Sequence, residues 1–491
     1  MEGSVAPGRH ENGKRADQRT CTLPTMRILF ASSEVYPYSK TGGLADVAGA
    51  LPGALAELGH EVLVVTPWYG GLRADPPPLW IGDVDVPFAG GVEPVGVGTL
   101  EAGGVRYVFV GHDDYRRPKP YGYPDDVRRF ARFTRAVPAV AQRVDFRPDL
   151  VHAHDWHTGY LPVVLTHGWP LPDGWPGLPW VFTIHNVQYQ GVSSLDDAVH
   201  WLRLPVSVRH SGMDHFGSAN AMQAALDFAW KVTTVSPSYA EEVQLPEYGY
   251  GLDGTLRHVS HKLVGILNGI DRGVWNPATD PELPEPYTAD DMAGKNAAGA
   301  AVRAELGLDD GGPLMGVVSR FADQKGIDAL FDAARSLVAR GWRLAVLGSG
   351  DPLLEARAEE LAAAHPGAIG VRIGYAEDLA HRIYAGADTL AIPSRFEPCG
   401  LSQMIAMRYG TLPVARATGG LRDTVRHGET GFLYDHANAD GLLWAAEEAR
   451  VAIEDGRAQR MRQAAMAEDF GWRRSAERYQ DVYRELTGGL S

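Results

Sequence analysis

Short apolar runs recur along the chain and alternate with stretches whose apolar residues return at helical spacing. Arg27-Ile-Leu-Phe-Ala31 is such a run, and the glycine-bearing segment Lys40-Thr-Gly-Gly43 follows it. Leu44, Val47, Ala48, Leu51 and Leu55 then mark one face of a helix, and Glu61-Val-Leu-Val-Val-Thr66 is a second run. Strand, loop, helix, strand is a βαβ unit and predicts a parallel sheet. Further strands are predicted over 105–110, 150–154, 180–184, 232–235 and 263–267.

Residues 278–313 break the rhythm with Pro281, Pro284 and Pro286, an alanine-rich helix over 290–306, and Asp309-Asp-Gly-Gly-Pro313, which together read as a connector. A second alternating series follows. Strands are predicted over 314–318, 343–347, 371–373, 390–393 and 412–415, with a helix over 327–339. Two such series predict an α/β protein of two doubly wound parallel sheets, whose ligands bind beyond the carboxyl ends of the strands. Trp472, Ala476, Tyr479, Tyr483 and Leu486 give the last helix an apolar face that must pack on something.

Composition narrows the class. A length of 491 residues suits two large domains. The net charge of −15 argues against a nucleic-acid binder, which needs a basic footprint. Two cysteines, Cys21 and Cys399, make neither a disulfide framework nor a CxxC metal site, so a cytoplasmic protein is expected. Residues 1–25 are polar, lack an apolar signal-peptide core and are expected to be a disordered extension. The 57 glycines exceed the usual share of about 7% and are expected in turns and ligand-facing loops.

Several strand ends carry candidate chemistry. Lys40, Gly42 and Gly43 stand before a helix start, where free N–H groups and a cation suit an anion; a plain cap beside a solvated lysine is the other reading. Thr418, Gly419 and Gly420 repeat that arrangement in the second series. Neither segment is a Walker A loop or GxGxxG. Arg320 and Lys325 suit a diphosphate, or are two surface charges. His152, His154, Asp155 and His157 are dense enough to suggest zinc, but their spacing closes no ligand set, which favours residues that line a sugar pocket or order its loop. His185 ends a strand. Glu397 is read as a sugar ligand, a stabiliser of an oxocarbenium-like centre, or the cap of the helix after it. Cys399 has no neighbouring base and reads as an inert thiol.

The ordered set of motifs resembles bacterial glycogen synthases and plant starch synthases. It comprises Ser39-Lys-Thr-Gly-Gly-Leu-Ala-Asp-Val47, His152-Ala-His-Asp-Trp-His-Thr-Gly159, Phe182-Thr-Ile-His-Asn186, Val235-Ser-Pro-Ser-Tyr239, Leu267-Asn-Gly-Ile-Asp271, Ser319-Arg320 through Lys325-Gly326, Ser394 through Gly400 and Thr418-Gly-Gly-Leu421. The resemblance implies a GT-B fold, two Rossmann-like domains facing across a deep cleft. It implies a retaining transferase that moves glucose from ADP-glucose, or alternatively UDP-glucose, to the non-reducing 4-hydroxyl of glycogen or another α-1,4-glucan. No cofactor and no metal are implied. The domains are expected at 26–265 on the acceptor side and 266–468 on the nucleotide-sugar side, with 469–491 crossing back to the first.

By resemblance, Lys40, Gly42 and Gly43 form the donor-diphosphate loop, and Asp155 binds sugar or acceptor. His185 lies beside the transferred glucose, and Asn268 contacts sugar. Arg320 and Lys325 hold the diphosphate, and Tyr375 packs on adenine. Glu397, Cys399, Gly400 and Leu401 form the glucose loop, and Thr418, Gly419 and Gly420 a second phosphate loop. The implied mechanism is front-face displacement through an oxocarbenium-like ion pair. Two departures stand out: Gln223 occupies a usual lysine position, and Ile405 stands where an E-x7-E transferase has its second glutamate. The competing readings are another GT-B sugar-nucleotide enzyme and an inactive glucan-binding scaffold.

Overall fold

The computed structural model describes residues 25–70, 74–168 and 170–488. The predicted extension at 1–25 therefore lies, but for Thr25, outside the described residues. Up to residue 265 the described residues form β1 (Arg27–Ala31), β2 (Glu61–Pro67), β3 (Leu79–Phe88), β4 (Gly91–Ala102), β5 (Val105–Gly111), β6 (Leu150–His154), β7 (Trp180–Ile184), β8 (Val192–Ser194), β9 (Asp214–His215), β10 (Ser218–Asn220), β11 (Lys231–Thr234) and β12 (Leu263–Gly265). One sheet runs β12-β11-β7-β6-β1-β2-β5-β4-β3. It is parallel from β12 to β5, and β4 and β3 close one edge antiparallel. A small antiparallel sheet, β8-β10-β9, stands apart from it.

Beyond the connector, β13 (Leu314–Phe321), β14 (Arg343–Gly350), β15 (Ile369–Ile373), β16 (Thr389–Ile392), β17 (Leu412–Arg416) and β18 (Phe432–Tyr434) form a wholly parallel sheet in the order β15-β14-β13-β16-β17-β18. The expected architecture, two doubly wound GT-B domains, is present. Strands of parallel sheets are covered on both faces, which is why they read as unbroken apolar runs. Leu29, Phe30, Leu63, Val151, Phe182, Val346 and Leu390 are all buried. In each sheet the first strand, β1 or β13, lies between neighbours leading away on either side, so the chain reverses direction at its carboxyl end.

Two features go beyond the sequence reading. The helix Ala293–Leu306 is not a loose connector: Gly299 packs backbone to backbone on Gly386, and buried Lys295 donates to the Ala385 carbonyl at 2.7 Å and to Thr411 Oγ1 at 2.7 Å. Ala298 and Gly299 are buried, and these small residues let the helix approach the helix Glu377–Gly386 closely. The hairpin β3–β4 had no predicted counterpart, because its outer end is solvated and gives no continuous apolar run.

The last helix, Trp472–Thr487, buries Trp472, Ala476, Tyr479 and Tyr483 in the same core as Val47, Leu51 and Leu55 of the helix Gly43–Glu57. Lys231 pairs with Glu485 at 2.8 Å. The chain thus returns to the first domain after completing the second.

Candidate active site

The first wall of the cleft is the turn after β1. Buried Glu34 accepts hydrogen bonds from the Thr41 amide and, at 3.0 Å, from the Tyr121 hydroxyl. Burial pushes its carboxyl up to about 7. Lys40 reaches Asp46 at 2.7 Å and lies over the Tyr36 ring. Gly42 ends the turn with no side-chain cap for the helix behind it. A Cβ at Gly42 or Gly43 would meet nothing within 4 Å. The protein's own packing does not require glycine at either position, so the space in front of them is open to a ligand.

The floor is made by β6 and β7. Asp155 follows β6 with a φ of 54°, a backbone rarely adopted by a residue with a side chain. This conformation places its Oδ1 2.7 Å from the His185 amide and 3.3 Å from the Asn186 amide. Asp155 therefore fixes the turn that presents His185, and burial pushes its carboxyl up to about 7. Burial brings the His185 imidazole down to about 3, so the ring is neutral. Its Nε2 is 3.0 Å from His154 Nδ1, which leaves Nδ1 as the nitrogen available to a ligand. His152 bridges Tyr483 and Thr183. The histidine cluster thus orders the strand ends, and among the described residues no group of three or more His, Cys, Asp or Glu is placed to hold a metal.

The opposite wall comes from the second sheet. β13 runs on to Phe321, so Arg320 belongs to the strand itself and not to the loop after it. Arg320 is exposed and makes no ion pair among the described residues. Lys325 lies in the next turn, with its Nζ 2.7 Å from Glu397 Oε2, and Ser394 Oγ donates to the same oxygen at 2.9 Å. Glu397 does not cap the helix Ser402–Arg408, which has no side-chain cap.

Cys399 is buried, its thiol pushed up to about 12 by that burial, and so it is no nucleophile. Gly400 has a φ of 73°, and Gln403 donates to the carbonyls of Cys399 and Gly400, fixing the turn before Leu401. Asn268 Oδ1 is buried without a hydrogen-bond partner among the described residues. Tyr375 is exposed, within electrostatic reach of Tyr36 and Asp46 across the cleft.

The two walls meet along a hydrogen-bonded seam. Tyr239 Oη accepts from the Val187 amide, the Tyr239 amide donates to Ser236 Oγ, and Ser236 Oγ donates to the Pro398 carbonyl at 2.5 Å. The chain of contacts therefore runs from the His185 turn to the Glu397 loop. Ser238 donates twice to Asp423, at 2.8 and 2.6 Å.

Thr418 and Gly419 differ from expectation. Their hydroxyl and amide donate to the carboxylate of Glu242, which comes from the first domain, at 3.1 and 2.9 Å. The Gly420 amide donates to the Glu397 carbonyl at 3.0 Å. A Cβ at Gly419 would collide with the Glu397 carbonyl oxygen, and one at Gly420 with that of Cys399. These glycines are small because residues 397–399 pack on them, and their donors serve the seam and that loop. Gly42 and Gly43 differ from them, because the space at their Cβ positions is open.

Gln223 lies elsewhere. Its amide donates to Asp227 at 2.9 Å and accepts from Thr255 at 2.7 Å, so both ends are satisfied. It lines a cavity of about 600 Å³ with Lys262 and His258, to which none of the cleft residues contributes. Glu34, Tyr121 and Glu242 are the residues that the motifs did not single out. Among the described residues no helix is long and apolar enough to cross a membrane.

Residues 27–258 match the family model described as "Starch synthase catalytic domain", and residues 300–467 match "Glycosyl transferases group 1". The chain is 47% identical over 467 residues to a glycogen synthase of Deinococcus radiodurans, covering 94% of this chain and 100% of that protein. It is 44% identical over 468 residues to a glycogen synthase of Thermus thermophilus, with the same coverage. Among solved structures, the catalytic domain of starch synthase IV from Arabidopsis thaliana bound to ADP and acarbose superposes with a TM-score of 0.87 at 34% identity, over 95% of this chain and 100% of that one. A sucrose-phosphate synthase from Thermosynechococcus elongatus, at TM-score 0.62 and 19% identity over 94% of this chain and 100% of that one, shares the fold.

Proposed function

The chain belongs to the family of glycogen synthases and starch synthases, and we propose that it transfers glucose, with retention, from ADP-glucose to the non-reducing 4-hydroxyl of an α-1,4-glucan. The observation that carries this reading is the second wall, where Arg320, exposed and without an ion pair among the described residues, precedes the turn that holds the Lys325–Glu397 pair, together with Gly42 and Gly43 of the first wall, which front open space. A nucleotide diphosphate leaves readily only where cations and N–H groups take up its charge. Arg320, Lys325, Lys40 and the backbone around Gly42 and Gly43 supply both.

In this reading Glu397 and the neutral His185 hold the glucose, with Asn268 Oδ1 as a further polar contact. Gly400 and Leu401 carry the glucose loop, buried Cys399 anchors it, and Gly420 supports it from behind. Asp155 positions His185. Tyr375 lies at the cleft mouth as a platform for the base. Residues 26–265 form the acceptor side, residues 266–468 the nucleotide-sugar side, and the terminal helix ties the two. Front-face displacement suits this geometry, because leaving-group cations and the sugar-binding carboxylate share one wall.

Preference for ADP-glucose over UDP-glucose is supported by the ADP bound to the Arabidopsis relative. A cytoplasmic setting belongs to the same proposal and is supported by the free thiol of Cys399. The test is incubation with glycogen and either ADP-glucose or UDP-glucose, measuring nucleotide release and chain elongation. Faster elongation with ADP-glucose is expected. Elongation with neither donor would overturn the reading.

A further inference from the structure

Behind His185 stands a column of buried side chains. Tyr483 Oη lies 2.7 Å from His152 Nδ1, and His152 Nε2 lies 2.6 Å from Thr183 Oγ1. The rings of His152 and His154 are 4.0 Å apart, and Phe30 stacks on His154, also at 4.0 Å. His154 is fully buried. Its Nδ1 is 3.0 Å from His185 Nε2, while its own Nε2 is buried with no hydrogen-bond partner among the described residues.

A neutral imidazole carries one N–H and one lone pair, so a hydrogen bond between two such rings has a direction. If His185 Nε2–H donated, the proton of His154 would have to be on its Nε2, a buried N–H with no acceptor. Orphaned buried N–H groups are rarer than under-satisfied acceptors. The reverse direction leaves only a bare lone pair at that nitrogen. Burial holds both imidazoles well below their ordinary range, in keeping with two neutral rings.

We propose that His154 is a positioning residue that donates from Nδ1–H to His185 Nε2 and so fixes His185 as its Nδ1–H tautomer. His185 then meets a ligand as a hydrogen-bond donor. That the ligand is the transferred glucose rests on the function proposed above. The tautomer itself does not.

The test has two parts. In the full chain labelled with 15N-histidine and free of substrate, a long-range 1H–15N spectrum reads the tautomer, with His185 assigned by its loss in His185→Gln. A protonated Nδ1 and a bare Nε2 are expected, and a protonated Nε2 on His185 would overturn the proposal. For turnover, His154→Leu removes the donor and His154→Asn returns an amide N–H close to the Nδ1 position. His154→Leu is expected to lower kcat roughly 10–100-fold with little change in donor KM, and His154→Asn to recover most of it. Unchanged kcat in His154→Leu, or an Asn variant as slow as the Leu variant, would also overturn it. Because the spectrum needs no substrate, failure of the glucosyl-transfer reading and failure of the tautomer assignment are told apart.

Discussion

Lys325 Nζ lies 2.7 Å from Glu397 Oε2, joining the turn after β13 to the loop after β16, its neighbour in the sheet. The ammonium is partly exposed, whereas the carboxylate is almost fully buried. Lys325 therefore keeps one side open to the cleft while it pairs with Glu397. In the function proposed above, the sugar-binding carboxylate and the leaving-group cation form one unit.

Loss of either member should act on turnover far more than on folding. Lys325→Ala and Glu397→Gln are each expected to lower kcat by about 10²–10³-fold. Initial rates of ADP release with glycogen as acceptor check this. Near-normal kcat in either variant would contradict the assignment, and the double variant should fall well short of the product of the two single effects.

Glu34 should impose a pH dependence on stability. Its carboxyl titrates near 4.5 when exposed and at about 7 in the folded chain, chiefly through burial. The folded state binds that proton more tightly, so the contribution is full below about pH 4.5 and lost as pH rises through about 7. Glu34→Gln keeps an acceptor oxygen for the Thr41 amide but cannot ionise. Relative to the parent it should gain stability between pH 5 and pH 8, on the order of 3 kcal/mol at about 1.4 kcal/mol per unit. Comparing variant with parent at each pH cancels the opposite effect of His185, whose depressed pKa favours folding above about 6.5 and withdraws that support toward about 3. A pH-independent difference in melting temperature would contradict this.

The parallel strands were legible because burial on both faces leaves unbroken apolar runs, as at Leu29 and Phe30 or Leu344 and Val346. The hairpin β3–β4 was not, because Leu79 and Trp80 are exposed at one end while Val86 and Phe88 are buried at the other. Among candidate site residues, those beside glycines or at strand ends stood out: Lys40, His185, Lys325 and Glu397. The residues that hold them did not, because their partners are distant in sequence. Tyr121 meets Glu34 across 87 positions, and Glu242 meets Thr418 across 176. A carboxylate with a remote partner looks in sequence like any solvated acid. The paired glycines show the same limit. The sequence pattern is alike at Gly42–Gly43 and Gly419–Gly420, and only packing tells an open turn from a close crossing of backbones.

Alanine at the two glycine pairs should separate those roles. Gly42 has extended backbone and open space at its Cβ position, so Gly42→Ala should melt within about a degree of the parent. Its donor KM should nevertheless rise, by about tenfold if one phosphate contact is lost. Gly419 has a φ of 46° and no room beside the Glu397 carbonyl, so Gly419→Ala should cost more than about 2 kcal/mol. Thermal melts and donor titrations of the two variants suffice. An unchanged donor KM in Gly42→Ala would remove the turn from the diphosphate site.

Glu242 provides the sharpest test of what the second glycine turn does. Its carboxylate takes the Thr418 hydroxyl and the Gly419 amide, which come from the other domain, while Gly420 supports the Glu397 carbonyl. Glu242→Ala leaves two donors of that turn without their acceptor and loosens the seam that Ser236 and Ser238 also hold. If the turn positions the glucose loop, kcat should fall about tenfold, the equivalent of about 1.4 kcal/mol, while ADP binds as before. If instead the turn is a phosphate site that Glu242 occupies, removing the carboxylate should tighten ADP binding, because an anion no longer competes at the same N–H groups. The close packing of Gly419 and Gly420 on residues 397–399 favours the first outcome. Calorimetric titration of ADP into the parent and Glu242→Ala, paired with kcat for both, distinguishes the two, and tighter ADP binding in the variant would overturn the positioning role.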